Sequence, residues 1–312
     1  MRRLFAFLLT AALAGMAGSA SAANPLVDVN WVKANIGKPN VVFLDTRGEG
    51  RADYIRAHIP GAIYTDYGKD GWRAKDKNGT PAMLPETPAI EKLIGGLGIG
   101  NKTHVVIVPS GTNALDMGTA ARIYWTFKAM GHDEVSILNG GWLAYAVVDE
   151  KTKQPVNPVE TGNNTPKATT FKANVRTDMI PTKGDVKKAL DAKTPLVDHR
   201  PADFYLGVTQ HPLTKRTGTI PGAKNLPEAW ITENNSGKFR DKGALEKLYS
   251  AAGVPTSGDQ IAFCNTGHWA ALGWFASSEI IGNKKTKMYD GSMVEWANDP
   301  NLPIEAKINV AK

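Results

Sequence analysis

Short apolar runs alternate with helical patterns along most of the chain, and the alternation occurs twice. In the first half, residues 105–108 predict a buried strand, and residues 119–130 predict a helix that ends at Gly131. In the second half, residues 260–263 predict the strand and residues 269–281 the helix. Continuous apolar strands followed by helices predict an α/β fold, in which helices cover both faces of a parallel sheet.

Three sequence landmarks recur in the same order in the two halves. They are a strand ending in Asp-x-Arg, an Ile-Pro-Gly-Ala segment, and a second strand ending in Asn-Gly-Gly or Asp-Gly-Ser. The matched positions are Asp45 with Asp198, Pro60 with Pro221, and Asn139 with Asp290. Because the spacing between partners is nearly constant, we interpret the chain as a duplicated unit.

The duplication defines the expected domains. We predict one domain over residues 24–150 and a second over residues 171–312. Residues 151–170 are rich in Lys, Thr, Pro and Asn, which is typical of a linker. The length of the chain agrees with this division, because a single core stops growing near this size.

The first 22 residues have a different pattern. A basic start at Arg2 and Arg3 precedes the apolar residues 4–16, and small residues lead to Ala22. This is the layout of a secretory signal peptide, and the apolar run is too short for a permanent membrane span. We therefore predict cleavage after Ala22, a periplasmic protein, and no membrane contact after cleavage.

The number and distribution of charged residues indicate which kind of ligand the protein binds. The chain has 37 Lys and Arg residues against 30 Asp and Glu, a formal net charge of +7. The basic residues are scattered, with no block or stripe of the kind that binds nucleic acid. This balance suits a small anionic substrate and gives no indication of nucleic-acid binding.

The chain contains a single cysteine, Cys264, which cannot form an internal disulfide. A lone thiol in an oxidising compartment indicates a reactive role, although a buried inert cysteine is the commoner fate. Cys264 follows a predicted strand and precedes a predicted helix, where backbone amides attract an anion such as a thiolate. A helix terminus contributes at most about 2 kcal/mol, so loop amides and a nearby cation are also needed.

The ordered set of landmarks and the cysteine loop, from about Asn30 to Ala297, resemble a tandem-domain rhodanese. The resemblance implies two tandem rhodanese-like domains, each an open parallel sheet flanked by helices. It implies a structural first domain that lacks the cysteine and that could help to form the wall of the cleft. In the second domain, Cys264 would take sulfur from a small anionic donor as a persulfide. A thiol, cyanide or protein acceptor would then remove it, and we expect a monomer without metal or organic cofactor.

The candidate substrate-binding residues lie in the cysteine loop and near the Asp-x-Arg end. They are Asn265, Thr266, Gly267, His268, Trp269, Arg200 and Arg216. We expect His268 either to contact the thiolate or an oxyanion, or to face solvent. For Arg200 a buried ion pair with Asp198 is the favoured alternative, and for Arg216 a solvated turn is equally possible.

The loop departs from both main types of the family, which leaves the donor open. Asn265 and Thr266 occupy positions where thiosulfate-type members tend to carry Arg and Lys. Phe204 stands where mercaptopyruvate-type members tend to have an arginine. We therefore expect a donor of the thiosulfate or 3-mercaptopyruvate class.

Three other functions compete with sulfur transfer for a chain of this pattern. A cysteine phosphatase needs an arginine that closes the loop, and Trp269 and Ala270 exclude this. A non-catalytic carrier, which delivers a persulfide to a protein partner, remains an alternative. So does a purely structural domain pair, in which modification of the thiol changes nothing.

Overall fold

The computed structural model describes residues 23–48 and 50–308. The predicted signal peptide, residues 1–22, lies outside these residues and is not tested by them. Within the described residues, no helix combines the length and the apolar character that crossing a bilayer requires.

The first domain contains a five-stranded sheet whose strands are all parallel, in the order β1-β5-β4-β2-β3. Buried apolar side chains fill both sides of its central strands, as the continuous apolar runs predicted. The strands are β1 (Leu26–Val27), β2 (Val41–Asp45), β3 (Ile63–Tyr64), β4 (His104–Val108) and β5 (Val135–Leu138). The helices are α1 (Val29–Asn35), α2 (Arg51–Arg56), α3 (Thr87–Gly96), α4 (Ala114–Ala129) and α5 (Gly141–Tyr145).

The second domain contains a four-stranded parallel sheet in the order β7-β6-β8-β9. Its strands are β6 (Leu196–Asp198), β7 (Lys224–Asn225), β8 (Gln260–Phe263) and β9 (Thr286–Met288). Its helices are α6 (Lys183–Asp191), α7 (Ala202–Leu206), α8 (Lys242–Ala251), α9 (His268–Phe275) and α10 (Ser292–Trp296). The order β3-β2-β4-β5 in the first sheet matches β7-β6-β8-β9, so the predicted fold class is confirmed.

The long helix after β4 begins earlier than predicted, whereas the long helix after β8 ends where it was predicted to end. Helix α4 begins five residues earlier than predicted, because the Asn113 side chain accepts from the Asp116 N–H and caps it. Helix α9 continues as a π-helical turn over Ala276–Ile281 and ends at Gly282, as predicted. Asn113 is a standard cap signal, but the apolar periodicity begins only after it.

The segment predicted as a linker lies against the first domain. The backbones of Glu160 and His58 exchange two 2.9 Å hydrogen bonds, and the Glu160 carboxylate accepts from the Gly61 N–H. The second domain repeats this contact, because Glu305 pairs with Thr219. The duplicated unit therefore includes a returning segment after α5 and after α10, which the sequence landmarks did not reveal.

The two domains pack through α4 and α9. Gly118 of α4 lies against His268 at the start of α9, and the Tyr124 and Phe275 rings meet edge-on at 4.9 Å. From the first contact to the second, the residue number increases in both helices, so the helices run parallel. Since each helix starts at the carboxyl edge of its sheet, the two loops before them lie at the same end of the molecule.

One buried carboxylate makes the stability of the second domain depend on pH. Burial raises the pKa of Glu228 to about 7, and the charges of Asp198 and Asp203 act in the same direction. Backbone hydrogen bonds from Glu228 and Ala229 lower the pKa by less than burial raises it, and Glu228 Oε2 has no hydrogen bond within the described residues. Because the folded state holds this proton more tightly, the free energy of unfolding falls as pH rises through about 4.5–7.

We expect Glu228→Gln to stabilise the protein at pH 8 by roughly 1–3 kcal/mol, and by clearly less at pH 5. The glutamine keeps the shape of the side chain and removes the charge that burial disfavours. Urea unfolding at the two pH values measures the difference. Glu150→Gln, at an exposed position, is the matched control and should have little effect at either pH. An equal effect of Glu228→Gln at both pH values would contradict the assignment.

Candidate active site

Cys264 begins the turn that joins β8 to α9, at the carboxyl edge of the second sheet. Its N–H donates to Ser292 Oγ at 3.1 Å, and the Ser292 hydroxyl donates to the Tyr289 carbonyl at 2.8 Å. The carbonyls of Cys264 and Asn265 accept from the first turn of α10, each at 3.0 Å. The start of the loop is therefore fixed to the neighbouring strand–helix connection.

The rest of the turn presents free backbone donors. Among the hydrogen bonds of the described residues, none is donated by the backbone N–H groups of residues 265–270. Gly267 has φ of 75° and caps α9 from the left-handed region, where glycine is favoured. A run of unpaired amides around a helix N-terminus favours an anion, as the sequence predicted for the thiolate of Cys264.

The turn forms one wall of a cavity of about 330 Å³ that both domains share. Cys264 borders this cavity, although only 1% of the residue is exposed. The thiol is thus reached through the cavity and is not presented on the surface. The lining residues from the first domain are Tyr67, Arg73, Leu115 and Thr119, and those from the second are His211, Cys264, Asn265, Thr266, His268 and Trp269.

His268 connects the two domains beside the thiol. Its Nε2 lies 3.0 Å from the Leu115 carbonyl, which can only accept, so this nitrogen carries the proton and donates. Nδ1, at 3.3 Å from the Tyr67 hydroxyl, then accepts from it. Burial lowers the pKa of His268 to about 4, so the ring is neutral at pH 7. His268 therefore lines the cavity as a neutral ring whose N–H is engaged with the Leu115 carbonyl.

Arg200 belongs to the framework of the site. Its guanidinium pairs with Asp198 at 2.6–3.1 Å and donates to the Gly218 carbonyl at 2.8 Å. Arg200 Nη1 also reaches Asn265 Oδ1 at 3.4 Å, and the residue is absent from the cavity lining. The buried ion pair considered from the sequence is present, and Arg200 acts on the loop only through Asn265.

Arg216 is wrongly predicted as a substrate ligand. Its guanidinium donates to four backbone carbonyls at the end of α10 and after it, which secures the chain that leaves this helix. The accepting residues are Trp296, Ala297, Asp299 and Leu302. With its donors engaged there, Arg216 does not line the cavity. The sequence placed it near the Pro-Gly-Ala segment but gave no direction for its side chain.

A buried cation from the first domain lies beneath the cysteine loop. Arg122 of α4 is fully buried, contacts Asp290 Oδ1 at 2.6 Å and donates to the Gly267 carbonyl at 3.3 Å. A Cβ added to Gly267 would lie 2.3 Å from Arg122 Nη1. A cation near the loop was expected from the sequence, but its position was not. The signal that could have located this cation is Arg122 itself, a charged residue within the apolar helix pattern of residues 119–130.

The loop after β4 and the Cys264 loop after β8 are each covered by residues of the other domain. In the first domain, the turn after β4 has Asp116 accepting from the Thr112 N–H, so a carboxylate of the chain already occupies this donor. Asn235 and Gly237 of the second domain also close over this turn. In the first-domain loop the Thr112 N–H is therefore already satisfied by a carboxylate of the chain, whereas the Cys264 loop borders the cavity that both domains share.

A model of the rhodanese-like domain matches this chain twice, over residues 28–147 and 182–299. The chain belongs to the rhodanese family. Both copies contain a parallel sheet and the landmarks recognised in the sequence, which confirms the predicted duplication. The cysteine is confined to the second rhodanese-like domain.

Relatives in this family are named as sulfurtransferases. A provisionally named thiosulfate sulfurtransferase of Mycobacterium bovis is 31% identical over 289 residues, covering 90% of this chain and 97% of the relative. A provisionally named thiosulfate sulfurtransferase of Saccharopolyspora erythraea is 32% identical over 288 residues, covering 90% and 95%. These names indicate sulfurtransferase activity for these two relatives.

Solved structures share the fold. A 3-mercaptopyruvate sulfotransferase of Escherichia coli superposes with a TM-score of 0.69 at 24% identity, over 86% of this chain and 99% of that one. An anaerobic ergothioneine biosynthesis enzyme of Chlorobium limicola, in complex with trimethyl histidine, gives 0.74 at 20% identity, over 92% and 71%. At these identities the likeness concerns the fold alone.

Proposed function

We propose that this protein transfers sulfur by double displacement through a persulfide on Cys264. The observation that carries the proposal is the position of the only cysteine. It lies in a turn of free amides and borders a cavity closed by both domains. Those amides stabilise negative charge on the thiolate and then on the outer sulfur of the persulfide.

In the first half-reaction the Cys264 thiolate attacks the transferable sulfur of an anionic donor, which is the sulfane sulfur of thiosulfate or the thiol sulfur of 3-mercaptopyruvate. A new S–S bond forms, and the donor's bond to that sulfur breaks. With thiosulfate the leaving group is sulfite. With 3-mercaptopyruvate it is the enolate of pyruvate, which takes up the thiol proton of the donor.

In the second half-reaction an acceptor attacks the outer sulfur and regenerates the Cys264 thiolate. Cyanide leaves as thiocyanate, and a thiol leaves as a persulfide. Because Cys264 is 1% exposed, a small acceptor reaches it through the cavity more easily than a thiol on a protein surface does. The burial therefore favours turnover with small molecules over delivery to a protein partner.

The place of action is part of the proposal. The layout of residues 1–22 supports export to the periplasm and removal of this segment after Ala22. Expression of the full chain in a bacterium tests this point, with N-terminal sequencing of the protein recovered from the periplasmic fraction. Retention of Met1 in a cytoplasmic product would contradict it.

We expect the mature protein to gain the mass of one sulfur atom when it is incubated with a productive donor. Intact-mass analysis after exposure to thiosulfate and, separately, to 3-mercaptopyruvate measures this gain and identifies the donor. Addition of cyanide should remove the extra mass and release thiocyanate. Cys264→Ala, which lacks the nucleophile, should gain nothing from either donor. A gain of equal size in this variant, or no gain in the wild type with either donor, would refute the proposal.

A further inference from the structure

The cavity beside Cys264 has one cationic side chain among its lining residues at neutral pH. Burial lowers the pKa of His268 to about 4, and burial together with Arg200 lowers that of His211, so both rings are neutral at pH 7. Burial raises the pKa of Tyr67, which remains a neutral phenol. Among the lining residues this leaves Arg73, from the first domain, as the group that can attract an anion.

In the part of the chain that the structure describes, Arg73 has no carboxylate partner. Its guanidinium forms no ion pair within 4 Å in these residues, whereas most other arginines there form an ion pair or donate to backbone carbonyls. Its guanidinium lies over the Tyr67 ring, 4.8 Å from the ring centroid. Stacking on an aromatic face leaves the N–H groups at the rim of the guanidinium plane free to donate.

The backbone on both sides of Arg73 is fixed. Trp72 is 1% exposed and donates through Nε1 to Thr65 Oγ1 at 2.9 Å. Ala74 exchanges two backbone hydrogen bonds with Met83, at 2.8 and 2.9 Å. Arg73 is therefore held between a buried anchor and a strand-like pairing, and this places a preorganised cation at the cavity.

The other lining groups indicate what the anion is attached to. Tyr67, Trp269 and Leu115 offer two rings and an aliphatic side chain around the cavity. An organic body can bury its carbon atoms against these groups. A small inorganic dianion has no carbon atoms to bury against these groups. One of its two charges would also have no partner cation in the cavity lining.

We propose that Arg73 is the specificity-determining residue of this site, and that it binds the carboxylate or sulfonate of a monoanionic organic sulfur donor. This inference rests on the proposed function, and it assigns the first domain a direct part in substrate binding. Arg73 supplies the cation that is absent from Asn265 and Thr266 in the cysteine loop. The donor then spans the cavity, with its anionic group at Arg73 and its sulfur at Cys264.

The single cysteine allows a test that does not depend on turnover. Methanethiosulfonate reagents react with the Cys264 thiolate, which forms a disulfide with the transferred alkylthio group and releases methanesulfinate. We would compare the anionic sulfonatoethyl reagent with the cationic trimethylammonioethyl reagent. In the wild type the anionic reagent should react faster, and Arg73→Met should lower the anion-to-cation rate ratio by about tenfold. Arg73→Lys should retain most of the ratio, because the charge remains.

Two controls isolate the effect of charge in the cavity. Neutral methyl methanethiosulfonate should modify the wild type and Arg73→Met at rates within about twofold, which shows that the thiol is intact. Arg56→Met removes a cation from the exposed surface of α2 and should leave the ratio unchanged. A ratio that is the same in the wild type and in Arg73→Met, or one that falls equally in Arg73→Lys, would overturn the assignment.

The experiments distinguish a wrong assignment of Arg73 from a wrong sulfurtransferase proposal. If Arg73 is assigned correctly, Arg73→Met should also raise the KM for 3-mercaptopyruvate about tenfold or more, with a smaller change in kcat. If neither donor adds sulfur to the wild type, the sulfurtransferase proposal fails while the reagent ratio still reports on Arg73. If sulfur is added normally and the ratio does not respond, Arg73 is excluded and the function stands.

Discussion

Replacement of Cys264 by alanine is expected to abolish sulfur transfer from any donor, with a loss in kcat of at least about 10³-fold. The reason is chemical, since no other thiol exists in the chain to carry the persulfide. The fold should remain, because Cys264 Sγ makes no hydrogen bond within the described residues and the change removes one atom from a packed site. Formation of thiocyanate from cyanide measures turnover, and circular dichroism checks the fold.

Ser110→Ala is the matched control, because Ser110 lies in the first-domain turn that corresponds to the cysteine loop. Ser110 is buried, as Cys264 is, but the donor at Thr112 in its turn is already satisfied by Asp116. We expect this variant to retain turnover. Loss of activity in Ser110→Ala equal to that in Cys264→Ala would show that both changes act through folding.

The alternatives to an enzyme give different results in the same experiment. A carrier would accept sulfur on Cys264 but would show no catalytic turnover with a free donor and cyanide, because it delivers its sulfur to a protein partner. A purely structural domain pair would accept no sulfur, and alkylation of its thiol would change nothing. For a sulfurtransferase we expect iodoacetamide to modify the folded wild type at neutral pH and to inactivate it, because the cavity leads to the thiol. Resistance to this small reagent would contradict the mechanism.

The fold could be predicted because its signals are local. Continuous apolar strands such as β4 and β8 need no knowledge of their neighbours, and the Asp-x-Arg ends recur where β2 and β6 end. The cysteine turn was predictable for the same reason, since it is defined by the strand before it and the helix after it. These features depend on residues that are adjacent in sequence.

The rest of the site depends on contacts across about 150–200 residues, and no sequence pattern encodes those. His268 is explained by the Leu115 carbonyl and the Tyr67 hydroxyl, both in the other domain. Tyr67 and Arg73 lie in an irregular segment without apolar periodicity, so nothing marked them as part of the cavity wall. Arg216 was misplaced because proximity along the chain does not give the direction of a long side chain.

Arg122→Met is expected to destabilise the protein by about 3–5 kcal/mol, the largest effect on stability that we predict. The change leaves the Asp290 carboxylate, which is 2% exposed, without its cation in the contact between α4 and the second domain. Asp290 cannot turn to water, because its other oxygen accepts from the Leu84 N–H at 2.6 Å. Urea unfolding of the purified variants measures the loss.

The double variant Arg122→Met with Asp290→Asn separates the unpaired charge from lost packing. Asparagine keeps an oxygen for the Leu84 N–H and removes the charge, so much of the lost stability should return. Arg176→Met is the matched control, because its ion pair with Asp133 is about one-third exposed and should contribute at most about 1 kcal/mol. A cost for Arg122→Met no greater than this control would contradict the prediction.

The same double variant tests whether Arg122 supports the reactive loop as well as the domain contact. Its guanidinium donates to the Gly267 carbonyl and lies against the turn that follows Cys264. A folded double variant should therefore react more slowly with iodoacetamide at neutral pH than the wild type, since the loop loses both a hydrogen bond and a nearby positive charge. An unchanged alkylation rate in that variant would restrict Arg122 to holding the two domains together.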